Sequence, residues 1–320
     1  MRDPTVRLKT EIRAGHASDR CMLAISIRSG WLRYAHADVS DGTLVVNSLK
    51  ATKLSKDFHR PDLRSPDLLV LLGIIFQDMI ESLPVHDKEV FLSLDERWID
   101  CQIFPVDKGL TRDEQESYLR WFLERRLGPL WPTSSVFFQE LKSNGSDRDW
   151  IMTCIIPENA LEALNIVLKR AGTVPAWREP CTLSLARTVS GDEASVVFIK
   201  DGRSVRALFF FGGTIHAFGH PIIRNGIVSM GTITGDQGLV STVISMINDI
   251  KPRSTKSPTV SIKFMGQLPG KWKGFISSKK RYLQKMNPLD SFTLAKNAKL
   301  NVNDPSDFGE VAGLLHRRIM

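Results

Sequence analysis

Several features that mark common protein classes are scarce or missing in this 320-residue chain. It has four cysteines, widely spaced and without a CxxC pair, so we predict reduced thiols in a cytosolic protein rather than a disulfide framework. The longest apolar run, residues 68–76, is too short to cross a bilayer. The first twenty residues are charged and have no apolar core, so we expect no secretory signal there. With 42% hydrophobic residues, the composition is that of a globular protein.

Recognised catalytic motifs are missing as well. Residues 266–272 (GQLPGKW) partly match the phosphate-binding pattern GxxxxGK[ST], but the first required glycine falls on Met265 and Trp272 replaces the hydroxyl residue. His216 and His220 have a metal-binding spacing for a helix, yet a glycine and a proline interrupt a strand-like pattern there. No GxSxG nucleophile motif occurs. The sequence therefore contains no positive signal for catalysis or for a metal site.

Positive charge is concentrated in one part of the chain. The net charge is +8, and residues 251–285 contain ten Lys and Arg but no Asp or Glu. A cationic face of this kind favours an anionic partner, either acidic lipid, nucleic acid or an acidic protein surface. The alternative is an ordinary solvated surface that keeps the protein soluble. The residues predicted to form the anionic-partner or membrane face are Lys271, Lys273, Lys279, Lys280, Arg281 and Lys285.

Two distant segments share one pattern. Residues 23–46 and 195–216 each contain short apolar strands joined by turns with glycine. The repeat predicts an α/β protein with two lobes of related fold, and the chain is long enough for each lobe to have its own core. Between the two segments, Thr111 and Glu114 form a capping-box pattern, which predicts a helix that ends near Gly128.

Three segments resemble a known family. LAISIRSGWLRYA, residues 23–35, is similar to its first strand and phosphate turn. Residues 104–128 are similar to its inserted subdomain, and residues 163–187 to a helix, an AG turn and the strand that follows. The family is that of PilM, actin-like cytoplasmic components of type IV pilus assembly platforms. It is related in architecture to the cytoplasmic part of GspL of type II secretion.

The resemblance implies an α/β fold of the actin-like, ribonuclease H-like type with two lobes. Residues 1–20 would be a flexible tail. Residues 21–190 would form the first lobe, with an inserted α+β subdomain at about 95–170, and residues 191–320 a shortened second lobe. Only one helix fits within residues 235–251, where nucleotide-binding relatives insert a further subdomain that closes over the cleft.

The residues that would bind nucleotide in such a fold are replaced here. In the first hairpin, Ser26 stands where the family has an Asp of the magnesium shell, and Arg28 where it has a Gly of the phosphate turn. In the second hairpin, Phe198 and Lys200 stand at the corresponding Asp and Gly positions. We therefore expect no ATP hydrolysis, no cofactor and no metal, although Arg28 and Lys200 could attract a phosphate weakly. The degenerate nucleotide cleft implied by the resemblance comprises Ser26, Arg28, Phe198, Lys200, Gly266 and Gly270.

The resemblance implies a non-catalytic cytoplasmic scaffold, peripheral to the inner membrane, within a type IV pilus assembly platform. Its partner would be the cytoplasmic tail of a PilN-like membrane protein, held in a groove near residues 85–170. The basic face would rest on anionic lipid or on another acidic subunit. The alternatives are a GspL-like component and an actin-like ATPase with an atypical site. Nucleic-acid binding, with Trp272 and Tyr282 stacking on bases, is the least favoured of the alternatives. Self-association stays open.

Overall fold

The computed structural model describes residues 20–40, 43–55, 65–81, 83, 88–128, 133–141, 148–173, 175–189, 193–201, 204–250, 260–301 and 304–319. Most of the tail predicted at residues 1–20 lies outside these ranges. So does the beginning of the basic stretch, residues 251–259.

Runs of one to four strands are separated by single helices along the described residues. The strands are β1 (Arg20–Arg28), β2 (Trp31–Ser40), β3 (Thr43–Lys53), β4 (Lys88–Leu94), β5 (Asp100–Asp107), β6 (Ser134–Leu141), β7 (Arg148–Pro157), β8 (Pro175–Pro180), β9 (Ser195–Asp201), β10 (Ser204–Phe211), β11 (Thr214–Arg224), β12 (Ile227–Gly235), β13 (Ser261–Met265), β14 (Leu283–Lys285) and β15 (Thr293–Asn301). The helices are α1 (Pro66–Glu81), α2 (Arg112–Leu127), α3 (Glu158–Arg170), α4 (Cys181–Ala186), α5 (Gln237–Asp249), α6 (Lys273–Lys279) and α7 (Gly309–Ile319).

The first lobe is built on a six-stranded sheet with the order β15-β3-β2-β1-β4-β8. β1, β2 and β3 pair antiparallel, while β4, β8 and β15 join in parallel. Alternate residues of β1 serve two cores, because side chains along a strand point to opposite faces. Leu23 and Ile25 pack with α1 and α3, and Met22 and Ala24 pack with α7.

The second lobe repeats this arrangement in a sheet with the order β12-β11-β10-β9-β13-β14. β9, β10 and β11 pair antiparallel and β13 joins β9 in parallel, as β4 joins β1 in the first lobe. The predicted repeat is thus confirmed. One face of the sheet packs on α5 and α6, and Val197 and Ile199 on the other face belong to the core of the first lobe.

A small α+β unit is inserted between β4 and α3. It consists of a three-stranded sheet, in the order β5-β7-β6, and α2. The capping box predicted for α2 is present: Thr111 N donates to Glu114 Oε2 at 2.7 Å, and the Thr111 hydroxyl accepts from Glu114 N. Leu119 and Leu123 of α2 are buried against one face of the sheet. The unit is shorter than the predicted 95–170, because α3 packs on α1 in the first lobe.

The second lobe also ends earlier than predicted. Residues 293–319 were assigned to it, but β15 pairs with β3 in the first sheet, and α7 covers that sheet. The strand β15 has no local pattern that identifies its partner, because β3 lies far away in the sequence. The chain therefore leaves the first lobe, builds the second and returns.

Helices α4 and α7 cross at close range where the chain returns. A Cβ atom added to Gly313 would lie 1.6 Å from the backbone oxygen of Ser184, and one added to Gly309 would lie 2.6 Å from Leu185 Cδ2. Glycine is required here for close approach of the two backbones. This crossing fixes α7, and with it Glu310, against the first lobe.

Within the described ranges, none of the helices combines the length and the hydrophobicity that crossing a bilayer requires.

Candidate functional site

Arg28 bridges the space between the two repeated hairpins. It is the last residue of β1, and its buried guanidinium forms an ion pair with Glu310 in the first turn of α7. Its Nη1 also donates to the backbone oxygen of Lys200, near the end of β9, at 3.2 Å. The Glu310 side chain is 0% exposed. An ion pair therefore lies between the ends of β1 and β9, where the resemblance puts nucleotide phosphates.

A second buried cation lies beside this pair. Arg33 faces Ser26 across β1 and β2. Burial is the largest influence and lowers the pKa of Arg33, while the charge of Glu310 acts in the opposite direction. Among the described residues, Arg33 Nε and Nη1 and Ser26 Oγ are buried without a hydrogen-bond partner. The compartment is polar, and it contains Arg33 and Glu310, which the sequence did not single out.

The other residues assigned to the cleft divide into two groups. Lys200 and Gly266 do lie together: a Cβ added to Gly266, whose φ is 73°, would be 3.3 Å from Lys200 Cβ. Phe198 is not in the cleft. It is fully buried in the core of the second lobe, with its ring centroid 5.0 Å from that of Trp272. Gly270 lies in an exposed 3-10 turn, with open space around its Cα.

The two lobes are also joined near the inserted unit. Glu96, which follows β4, pairs with Arg206 of β10 and accepts hydrogen bonds from the backbone and hydroxyl of Thr182 in α4. Burial acts most strongly on the pKa of Glu96 and raises it, but the charge of Arg206 and the Thr182 bonds together outweigh it, so the pKa lies below its ordinary value. This contact links both lobes to the base of the insertion.

One cluster has the side-chain types of a metal site. Cys21, His36 and Asp38 project from β1 and β2 with their ligand atoms within 4.8 Å of one another. Cys21 Sγ and His36 Nε2 are only 2.7 Å apart, a hydrogen-bond distance. Zinc ligands at bond lengths of about 2.0–2.3 Å in tetrahedral geometry would be farther apart than this. A thiol–imidazole hydrogen bond explains the cluster.

The basic face is smaller than predicted. Lys279 is buried, and its amine donates to the backbone oxygens of Asn248 and Ile250 at the C-terminal end of α5. It stabilises that helix end and does not belong to the surface. The remaining members of the predicted face are exposed, namely Lys271, Lys273, Lys280, Arg281 and Lys285.

A groove separates the first sheet from the sheet of the inserted unit. Its cavity of about 370 Å³ lies between β8, the last strand of one sheet, and β6, the last strand of the other. Phe137, Met152, Cys154 and Ile156 form an apolar floor, since they share one face of the small sheet. Some of the residues that line the groove lie within 94–165, inside the region predicted to bind a partner. The others lie within 175–183, beyond that region.

The groove walls carry few ionisable groups. Glu179 is one, and it is fully engaged by Arg187, the hydroxyl of Ser184 and the indole N–H of Trp177. Beside it, β6 and β8 are the last strands of their sheets among the described residues, and most of their residues are buried or half-buried. Each could add a further strand by backbone pairing. The combination of an apolar floor, edge strands and few charges suits an extended peptide better than a small polar substrate.

Together, the repeated hairpins, the parallel additions and the interlobe helices define a two-lobed α/β protein of actin-like architecture. No protein-family model and no curated protein sequence matches the chain. Solved structures do match. The PilM–PilN type IV pilus biogenesis complex is 13% identical, covers 93% of this chain and 98% of its own, and has a TM-score of 0.67.

Two further structures extend the comparison. A Bacteroides thetaiotaomicron protein with an actin-like ATPase fold and unknown function is 11% identical over 93% of this chain and 96% of its own, with a TM-score of 0.50. The cytoplasmic domain of EpsL, an inner-membrane component of the Vibrio cholerae type II secretion system, is 11% identical over 93% and 95% respectively, with a TM-score of 0.47. At these identities the first two matches show the fold alone: the chain has the actin-like fold.

Proposed function

We propose that this protein is a non-catalytic scaffold of a type IV pilus assembly platform, which holds an extended segment of a PilN-like membrane protein in the groove between β6 and β8. The observation that carries the proposal is the groove itself, an apolar space bordered on each side by the last described strand of a sheet. Its place in a fold shared with a PilM–PilN complex supports a peptide of that kind as occupant.

The cleft between the lobes supports a non-catalytic role. A magnesium–triphosphate site needs carboxylates for the metal and open backbone amides for the phosphates. Ser26 supplies no carboxylate, and the guanidinium of Arg28 is held between Glu310 and the Lys200 carbonyl. Binding a triphosphate there would require Arg28 to give up its buried ion pair with Glu310, which is costly. These residues do not fit the nucleotide, so we expect neither ATP binding nor hydrolysis.

The basic face supports a location at the cytoplasmic side of the inner membrane. Lys271, Lys273, Lys280 and Arg281 are exposed and would each be attracted to anionic lipid by roughly 1 kcal/mol, whereas Lys285 already pairs with Asp304 at 3.2 Å. This attraction would hold the scaffold beside the membrane from which the partner's tail emerges. Binding to acidic-lipid vesicles that falls as salt rises would test this component separately.

Site-specific photo-cross-linking in cells of the source organism tests whether the groove binds this partner. A photoreactive phenylalanine analogue at Ala176, an exposed residue of β8 in the groove wall, should form an adduct with the cytoplasmic tail of a single-span inner-membrane protein. The same analogue at Arg224, an exposed residue of β11 in the second lobe, is the matched control. Peptide mapping of the adduct identifies the cross-linked segment.

Two results would count against the proposal. One is the same set of adducts from Ala176 and Arg224, because the groove would then have no occupant of its own. The other is saturable thermal stabilisation by Mg-ATP together with phosphate release, because a nucleotide that binds the folded state raises its melting temperature.

A further inference from the structure

Arg178 is the one cation in the described lining of the groove, and the described residues offer it no acidic partner. It lies in β8, and its Nη2 donates to the side-chain oxygen of Asn165 in α3. Its Nε is buried and has no hydrogen-bond partner among the described residues. An arginine can donate five hydrogen bonds in a planar fork that matches a carboxylate, so much of this group's capacity is unused.

The neighbouring carboxylate does not compensate Arg178. Successive residues of a strand point to opposite faces, and Glu179 is turned inward, where it pairs with Arg187. Desolvation by burial lowers the pKa of Arg178, and no carboxylate among the described residues offsets this effect. The groove as a whole therefore carries one uncompensated positive charge beside an apolar floor.

We propose that the segment bound in this groove carries an Asp or Glu side chain that pairs with Arg178, between apolar residues that rest on the floor. This inference depends on the proposed function, since it assumes that the groove binds a peptide. It specifies the chemistry of that peptide. Charge-assisted, bidentate pairing at a partly desolvated arginine is strong and directional, so it would fix the position of the segment along β8.

Selection of random peptides that bind the full chain tests the proposal. Both ends of each peptide are fused to the display protein, so that side chains alone supply its carboxylates. The wild-type protein should enrich peptides with apolar residues and one Asp or Glu at a constant position. Arg178→Gln should remove the acidic preference, and Arg178→Glu should change it to Lys or Arg. Arg224→Gln, which removes an exposed arginine of the second lobe, should leave the selected sequences unchanged.

A selected peptide then allows a double-mutant cycle by fluorescence polarisation. Changing its acidic residue to the corresponding amide should weaken binding to the wild-type protein by about tenfold or more and leave binding to Arg178→Gln unchanged. Ala176→Trp places a bulky side chain in the groove from an exposed position of β8 and should abolish binding, which assigns the peptide to this groove.

The outcomes separate the two proposals. If peptides are enriched and lose binding with Ala176→Trp but show no acidic preference, the role of Arg178 is refuted and the groove remains a peptide site. If no peptide is enriched, or if Ala176→Trp has no effect on those that are, the groove does not bind a peptide and both proposals fail.

Discussion

Replacing either partner of the Arg28–Glu310 ion pair with methionine should destabilise the protein by about 3–5 kcal/mol, because it leaves a buried charge without its counter-charge. Both side chains are inaccessible enough for this value to apply, at 6% and 0% exposed. Methionine has a similar length and no charge, so the change tests the ion pair more than the packing.

The two single variants should lose different amounts of stability. After Arg28→Met, Glu310 still has Arg33 as a nearby cation, which acts on it through space. After Glu310→Met, Arg28 loses its ion-pair partner and Arg33 loses the carboxylate that acts on it most strongly, although Asp307 still acts on Arg33 through space. Glu310→Met should therefore be the more damaging change. The double variant should lose less unfolding free energy than the two single variants together, by about 2 kcal/mol or more. The reason is that the double variant removes both charges at once.

Urea unfolding followed by far-UV circular dichroism measures the stability of the wild type, the two single variants and the double variant. If the unfolding free energy falls with urea concentration at the same slope in all four, stability alone has changed. Losses that add to within about 0.5 kcal/mol would mean that the two residues are energetically independent. That result, or a larger loss for Arg28→Met than for Glu310→Met, would refute the reasoning that this pair fills the cleft.

Two further predictions concern other contacts of the first lobe. Gly313→Ala should destabilise strongly, since its Cβ would meet Ser184 O at 1.6 Å, whereas Gly274→Ala, with open space, should be neutral or stabilising by up to about 1 kcal/mol in thermal melts. The pKa of Glu96 in the folded protein lies below its ordinary value of 4.5, so ionised Glu96 stabilises the fold at pH values above 4.5. This stabilisation is lost as the pH falls below 4.5 and through the pKa of the folded state. The urea midpoint of wild type should therefore fall toward that of Glu96→Gln in acid; a constant difference would contradict a role for the Arg206 pair.

Local signals predicted the parts of the fold that depend on nearby residues. The capping box at Thr111 identified the start of α2, because its partner Glu114 is three residues away. The apolar residues of α3 recur at helical spacing in the sequence, and its leucines are buried. The repeated hairpins were recognisable because antiparallel strands joined by short turns are local structures.

Features that depend on distant residues could not be predicted in this way. Phe198 was assigned to the cleft by its place in the hairpin, but its face of β9 points toward Trp272 in the core. Lys279 was assigned to the surface by its charge, yet it binds carbonyls at the end of α5. No sequence pattern near Glu310 identifies it as the partner of Arg28. In each case the determining contact joins segments that only the folded chain brings together.

The positions of the ion pairs explain why the groove, and not the cleft, is the better site for a partner. A cleft that binds nucleotide must open and close, and its lobes need room to move. Here the lobes are joined at both ends, by Arg28 with the Lys200 carbonyl and by Glu96 with Arg206, and α7 is held by the contact of Gly313 with Ser184. The Glu96–Arg206 pair is buried, so separating the lobes there would expose unpaired charges. The inserted sheet, in contrast, meets the first lobe across an apolar groove of about 370 Å³, and binding there requires none of these contacts to break.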